Sequence, residues 1–122
     1  MNDVISKIKE LEFEKILWFI FIFVSALNIY GDNIQELFVT NGDLKSEEIA
    51  KKIFTFTIAI SLIIYIYFAY RNYRNLKQVE QNDEDTTLYM IRFAGSILVV
   101  VGALFILYFQ ASVPTPIGTP TV

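Results

Sequence analysis

Tyr89–Phe109 reads YMIRFAGSILVVVGALFILYF, 21 residues with one charge, Arg92, near the start. About 20 mostly apolar residues cross the hydrocarbon layer of a bilayer as one helix. Two further runs stand before it. Ile53–Tyr70, IFTFTIAISLIIYIYFAY, has 18 residues and no charge. Ile16–Tyr30, ILWFIFIFVSALNIY, has 15, and Leu11 and Phe13 extend it backward while Lys15 reaches for the headgroups. The spans are therefore expected at residues 13–30, 53–70 and 89–109. Strands usually run 3–10 residues, and the alternation of apolar and polar residues of a membrane barrel is missing. In hydrocarbon a helix satisfies its own backbone, which an isolated strand cannot.

Composition agrees. Of 122 residues, 54% are apolar and 16% aromatic. A soluble chain of this length buries only about two-thirds of its unfolded surface, so it would expose many of these side chains as adhesive patches. The sequence has no Cys and no His. That removes disulfides, thiolate nucleophiles, zinc fingers and the commonest general base. No Gly-rich phosphate loop, nucleophile elbow or metal-ligand pair is present, and no carboxylate lies inside any of the three runs. We expect no enzyme and no cofactor.

The ends of the runs carry local signals. Gly31 after Tyr30 suits a left-handed helix cap. Asn41-Gly42-Asp43 is a turn signal, and Asp43 or Ser46 can cap a second helix reaching about Leu76. Gln81–Asp85 breaks that helix, and Asp85 or Thr86 caps the third. Ile34, Leu37 and Phe38 are expected in a short interfacial turn. The three prolines, Pro114, Pro116 and Pro120, make 111–122 an extended, flexible tail. In the N-terminal segment Val4, Ile5, Ile8 and Leu11 share a helical face, which predicts an amphipathic interfacial helix over 1–12. The expected fold is thus all-α: an integral membrane protein of one domain, with three transmembrane helices preceded by that short helix.

Lys and Arg placement orients the spans. Lys7, Lys9, Lys15, Arg71, Arg74, Lys77 and Arg92 fall on one side; Lys45, Lys51 and Lys52 fall on the other. This predicts a multi-pass protein of the cell membrane with a cytoplasmic N-terminus and an extracytoplasmic C-terminus.

Candidate functional residues form three groups. Gly95 and Gly102, seven apart, with Ser96 and Ala103 beside them, and Thr57 with Ser61, make small-residue patterns that permit close helix packing or self-association. Arg92, Glu14 and Asn28 are polar at membrane depth; Arg92 either snorkels to phosphate or pairs with Glu14, and Asn28 can bond across helices. Arg71, Tyr73, Arg74 and Lys77 form a basic, aromatic cluster suited to anionic lipid headgroups rather than nucleic acid. The acidic run Glu80–Asp85 lacks calcium-loop spacing and is expected to be a solvated loop. Glu14 superficially resembles the first-helix glutamate of small multidrug exporters, but those have four spans. The expected function is non-enzymatic: association with itself or another membrane protein in an accessory, regulatory or immunity-type role. The alternative is a small transporter or pore built by oligomerisation.

Overall fold

The computed structural model describes residues 2–82 and 84–113. They form three α-helices: α1 (Asn2–Asn41), α2 (Leu44–Gln81) and α3 (Thr87–Ser112). All three are long and apolar enough to cross a membrane. At 1.5 Å per residue, α1 and α2 run roughly 60 Å, about twice the thickness of the hydrocarbon layer. Each therefore projects well beyond its apolar run, whereas α3, at about 39 Å, barely exceeds it.

The helices lie side by side with α2 in the middle. It packs against both neighbours, while no Cα of α1 comes within 8 Å of one in α3 among the described residues. Burial follows this order: 28% of the most apolar stretch of α2 is buried inside the protein, against 11% for α1 and 6% for α3. The rest of the apolar surface, including Phe19, Leu98, Phe105 and Tyr108, faces outward.

The contact stripes show how the helices lie along one another. On α1 Glu10, Glu14, Leu17, Phe21, Val24, Asn28, Gly31, Gln35 and Phe38, spaced alternately by four and three, form a covered stripe, with Ile20, Leu27 and Ile34 covered beside it. On α3 Phe93, Ser96, Val100, Ala103, Leu107 and Gln110 form such a stripe with the same alternation, with Gly102 partly covered beside it. A mean spacing of 3.5 keeps one stripe facing its partner along a shallow left-handed crossing. Ring contacts fill the α1–α2 seam: Phe13 on Tyr67, Trp18 on Phe68 and Phe21 on Tyr65, with centroids 4.9, 5.8 and 5.7 Å apart.

Several local expectations change. Gly31 does not end α1, which runs straight through it to Asn41. Its role is close approach: a Cβ there would sit 2.9 Å from the Phe54 ring and 3.2 Å from Ile53 Cγ2. The left-handed residue is Gly42, with φ +69°, whose N–H bonds to Phe38 O at 2.7 Å. Ile34 and Phe38 do not form an interfacial turn; they lie on α1, buried, and Leu37 points outward. Residues 2–12 are the first turns of α1 rather than a separate interfacial helix. No Gly or Pro interrupts the backbone before the span, and Glu10 is held against α2.

The turn at 42–43 is as the sequence indicated. Asp43 caps α2, accepting from Lys45 N–H at 3.1 Å and Ser46 Oγ at 2.9 Å. The Ser46 hydroxyl holds the Asp43 carboxyl below the usual carboxylate range. Asp85, not the Thr86 side chain, caps α3: its carboxylate accepts from Thr87 N–H at 3.0 Å, which lowers its pKa too. Of the tail expected over 111–122, Ala111 and Ser112 are instead the last residues of α3; residues 114–122 and Asp83 lie outside the described residues.

Candidate functional site

Polar side chains gather at both ends of α2. At the end near the N-terminus, Glu10 and Glu14 fall on the α1 stripe and meet arginines of α2. Arg71 Nε lies 3.5 Å from Glu10 Oε1 and Arg71 Nη1 lies 3.2 Å from Glu14 Oε2. Arg74 Nη2 lies 3.5 Å from Glu10 Oε2. The Arg71 side chain is only 15% exposed and its guanidinium covers the Phe68 ring at 4.8 Å. Two carboxylates and two guanidiniums thus neutralise each other where the helices leave the apolar layer. On the α3 side, Asn72 Nδ2 donates to Ser96 Oγ, which donates to Arg92 O at 3.0 Å.

This arrangement corrects one expectation. Glu14 pairs with Arg71, not Arg92, because α1 and α3 flank α2 without meeting. Arg92 is exposed, lies over the Tyr89 ring at 5.4 Å and has no ion pair among the described residues. Of the four residues of the basic, aromatic cluster, Tyr73, Arg74 and Lys77 are exposed and Arg71 is largely covered. Arg71 is turned inward, Tyr73 packs on Phe93 with centroids 5.4 Å apart, and Lys77 pairs with Glu80 at 3.4 Å, which raises its pKa. Lys7, Lys9 and Lys15 on α1, like Lys45 and Arg92, are exposed and in no ion pair among the described residues.

The other end, near the α1–α2 turn, is built differently. A groove of about 320 Å³ opens between all three helices. Each helix contributes residues one turn apart: Asn28 and Asp32 from α1, Phe54, Thr57, Ile58 and Ser61 from α2, Ile106 and Gln110 from α3. Gln110 ends the α3 stripe, and Asn28 belongs to the α1 stripe. Thr57 Oγ1 lies 2.7 Å from Asn28 Oδ1, the bond across helices that an Asn at this depth can make, and 3.1 Å from Phe54 O. Asp32, Ser61 and Gln110 make no side-chain hydrogen bond among the described residues. Ser61 is the notable one, at 7% exposure. It sits about 12 Å below the start of the α2 run, counting 1.5 Å per residue from Ile53. Asp32 and Gln110 stand at the mouth, just past the ends of their runs. The groove therefore extends from a charged rim to Ser61.

No family model matches the chain, and no curated protein or solved structure shows significant similarity to it.

The small residues divide between two surfaces. Thr57 and Ser61 are buried against the groove, Ala103 is buried on α2 and Ser96 bonds there. Gly95 and Gly102 look elsewhere: a Cβ built on either would meet nothing within 4 Å. A larger groove, about 720 Å³, runs between the N-terminal turns of α1 and the last turns of α2, past Lys7, Lys9, Arg74 and Gln78. It lies beyond the apolar runs. Asp32, Gln110 and Glu10 were not singled out in the sequence because each lies outside an apolar run. The four-three alternation that places Glu10 and Gln110 on the stripes was the available signal.

Proposed function

We propose that this chain is a non-enzymatic membrane protein that acts by association in the bilayer, with a second copy of itself or with another membrane protein. One observation carries the reading. The helices form an open layer in which α3 is covered along one stripe, while Gly95 and Gly102 stand open on its free side. Small residues on a lipid-facing helix let another backbone approach closely, and close packing drives association where the hydrophobic effect does not. In the proposed orientation the N-terminus and Lys7, Lys9 and Lys15 face the cytoplasm and its anionic lipids, and the groove opens on the opposite side.

The test is cross-linking in native membranes from Gly95→Cys. The expected result is a defined adduct, of twice the chain's mass for self-association and of another fixed mass for a partner. It should disappear in the Gly95→Cys, Gly102→Leu double variant while thermal unfolding of the isolated protein stays unchanged. No adduct in membranes at native expression would overturn the proposal. The polar groove favours one second reading, a small transporter or pore assembled from several copies. Ion flux in liposomes that Asp32→Asn abolishes would select it.

A further inference from the structure

Two opposite charges at the N-terminal end of α1 and α3 stand on faces that do not meet within one chain. Glu12 is exposed on α1. It lies two residues from both Glu10 and Glu14, which meet α2, so it stands on the opposite side of its helix. Arg92 is exposed on α3. None of the ion pairs among the described residues includes either of them, not even with Lys9 or Lys15, three residues either side of Glu12. Their depths agree. Arg71 and Arg74 of α2 meet Glu14 and Glu10, while Tyr73 packs on Phe93 of α3. These contacts set Glu12 and Arg92 within about one helical turn of the same level. A charge at the edge of the apolar layer is costly unless it is hydrated or paired, and α1 and α3 are too far apart to supply the pair.

We propose that the chain assembles by docking the outward face of α1 of one copy on the free face of α3 of the next, with Glu12 paired to Arg92. This names the partner and the faces for the association proposed above, and rests on it. Charge selects the combination. In one bilayer orientation, α3 against α3 would set Arg92 facing Arg92, and α1 against α1 would set Glu12 facing Glu12; like charges so placed are costly. Anionic lipid satisfies Arg92 but repels Glu12. Shape agrees with charge. From Glu12 the outward line of α1 continues as Ile16, Phe19 and Phe23, which are 55, 71 and 58% exposed. From Arg92 the free line of α3 continues as Gly95, Val99 and Gly102. Both lines alternate spacings of three and four, as the covered stripes do, and both helices run away from this end. With Glu12 level with Arg92, Phe19 falls level with Val99. Ile16 and Phe23 then fall within one residue of Gly95 and Gly102, where a Cβ would meet nothing within 4 Å. The large side chains of one line thus face the gaps of the other. Because the contact joins two different faces, every copy in it keeps one of each free, and assembly continues into a ring or a row.

The sequence has no cysteine, so single cysteines report on chosen positions alone. Two full-length chains with different tags, one carrying Phe19→Cys and the other Val99→Cys, are co-expressed in native membranes and oxidised. The expected result is a disulfide adduct that holds both tags, with little adduct from either chain alone. Arg92→Glu on the Val99→Cys chain should reduce that adduct about tenfold, the effect of losing one charge-assisted hydrogen bond. Glu12→Arg on the Phe19→Cys chain should then restore it, which a folding defect would not do. Trp18 fluorescence melting should be unchanged in both charge variants, since each side chain is exposed. Adduct from the Val99→Cys chain alone, with none that holds both tags, would mean a symmetric α3 contact and overturn the proposal. So would a mixed adduct that ignores the charge reversal, or one that the second reversal leaves lost. If Gly95→Cys gives an adduct of twice the chain's mass and the mixed adduct is missing, these faces are wrong and self-association stands. If both are missing, both proposals fall.

Discussion

The two ends of α2 use the same kinds of side chain to opposite effect. Toward the N-terminus, charges and amides face one another across the seams and neutralise each other: Arg71 with Glu10 and Glu14, Asn72 with Ser96. Toward the turn, Asp32, Ser61 and Gln110 line one groove at different depths, and none pairs with another among the described residues. The first arrangement fastens helices together. The second leaves polar groups without a partner on the neighbouring helix among the described residues. Whether a polar residue at membrane depth is fastening or site thus depends on what the neighbouring helix places opposite it.

The comparison breaks most directly at Arg71. Arg71→Leu leaves Glu10 and Glu14 confronting each other in a largely covered position. Removing one partner of such a cluster costs about 3 kcal/mol. The expected readout is a lower melting temperature with early loss of the Trp18–Phe68 contact, seen in Trp18 fluorescence. Replacing Glu10, Glu14 and Arg71 together by Leu should recover most of that loss. A destabilised triple variant would show that the cluster does more than hold two helices.

The turn end is sensitive at Gly31. Gly31→Leu forces a side chain into the Phe54 ring and should cost about 2 kcal/mol by overpacking. A variant with wild-type stability would mean that the helices separate there without cost. Thr57→Val keeps the shape and removes the bond to Asn28. Bonds across membrane helices average about 0.6 kcal/mol, so chemical unfolding should show a loss near that size. The smallest effect concerns the turn itself. The folded Asp43 carboxyl has a depressed pKa, so its contribution to stability is present above the unfolded carboxylate pKa. It is lost as pH falls through the folded value. A melting curve taken against pH should show this acid-side decline, and Asp43→Asn should flatten it.

Particular residues show how far the sequence could be read. The apolar runs located the three membrane-crossing helices, because a bilayer imposes length and composition on any segment that crosses it. Asn41-Gly42-Asp43 located the turn, because only certain residues accept a positive φ and offer a capping oxygen. Gly31 was legible as important but not as a contact. A glycine reads alike as a helix cap or as a close approach until the facing Phe54 and Ile53 are known. Arg92 was the most conspicuous charge in a span, yet it stays exposed on α3, while Arg71, beyond its run, is the one drawn inside.

The sequence by itself therefore determined the class of the fold, the number of spans and the position of the first turn, all consequences of local chemistry and of the solvent. Only the tertiary structure decided that α2 lies between its neighbours. That order keeps α1 from α3, gives Glu14 to Arg71 and opens a groove where three helices diverge from contact. Pairing between helices depends on which stripes face each other, and residues dozens of positions apart carry no local mark of that choice.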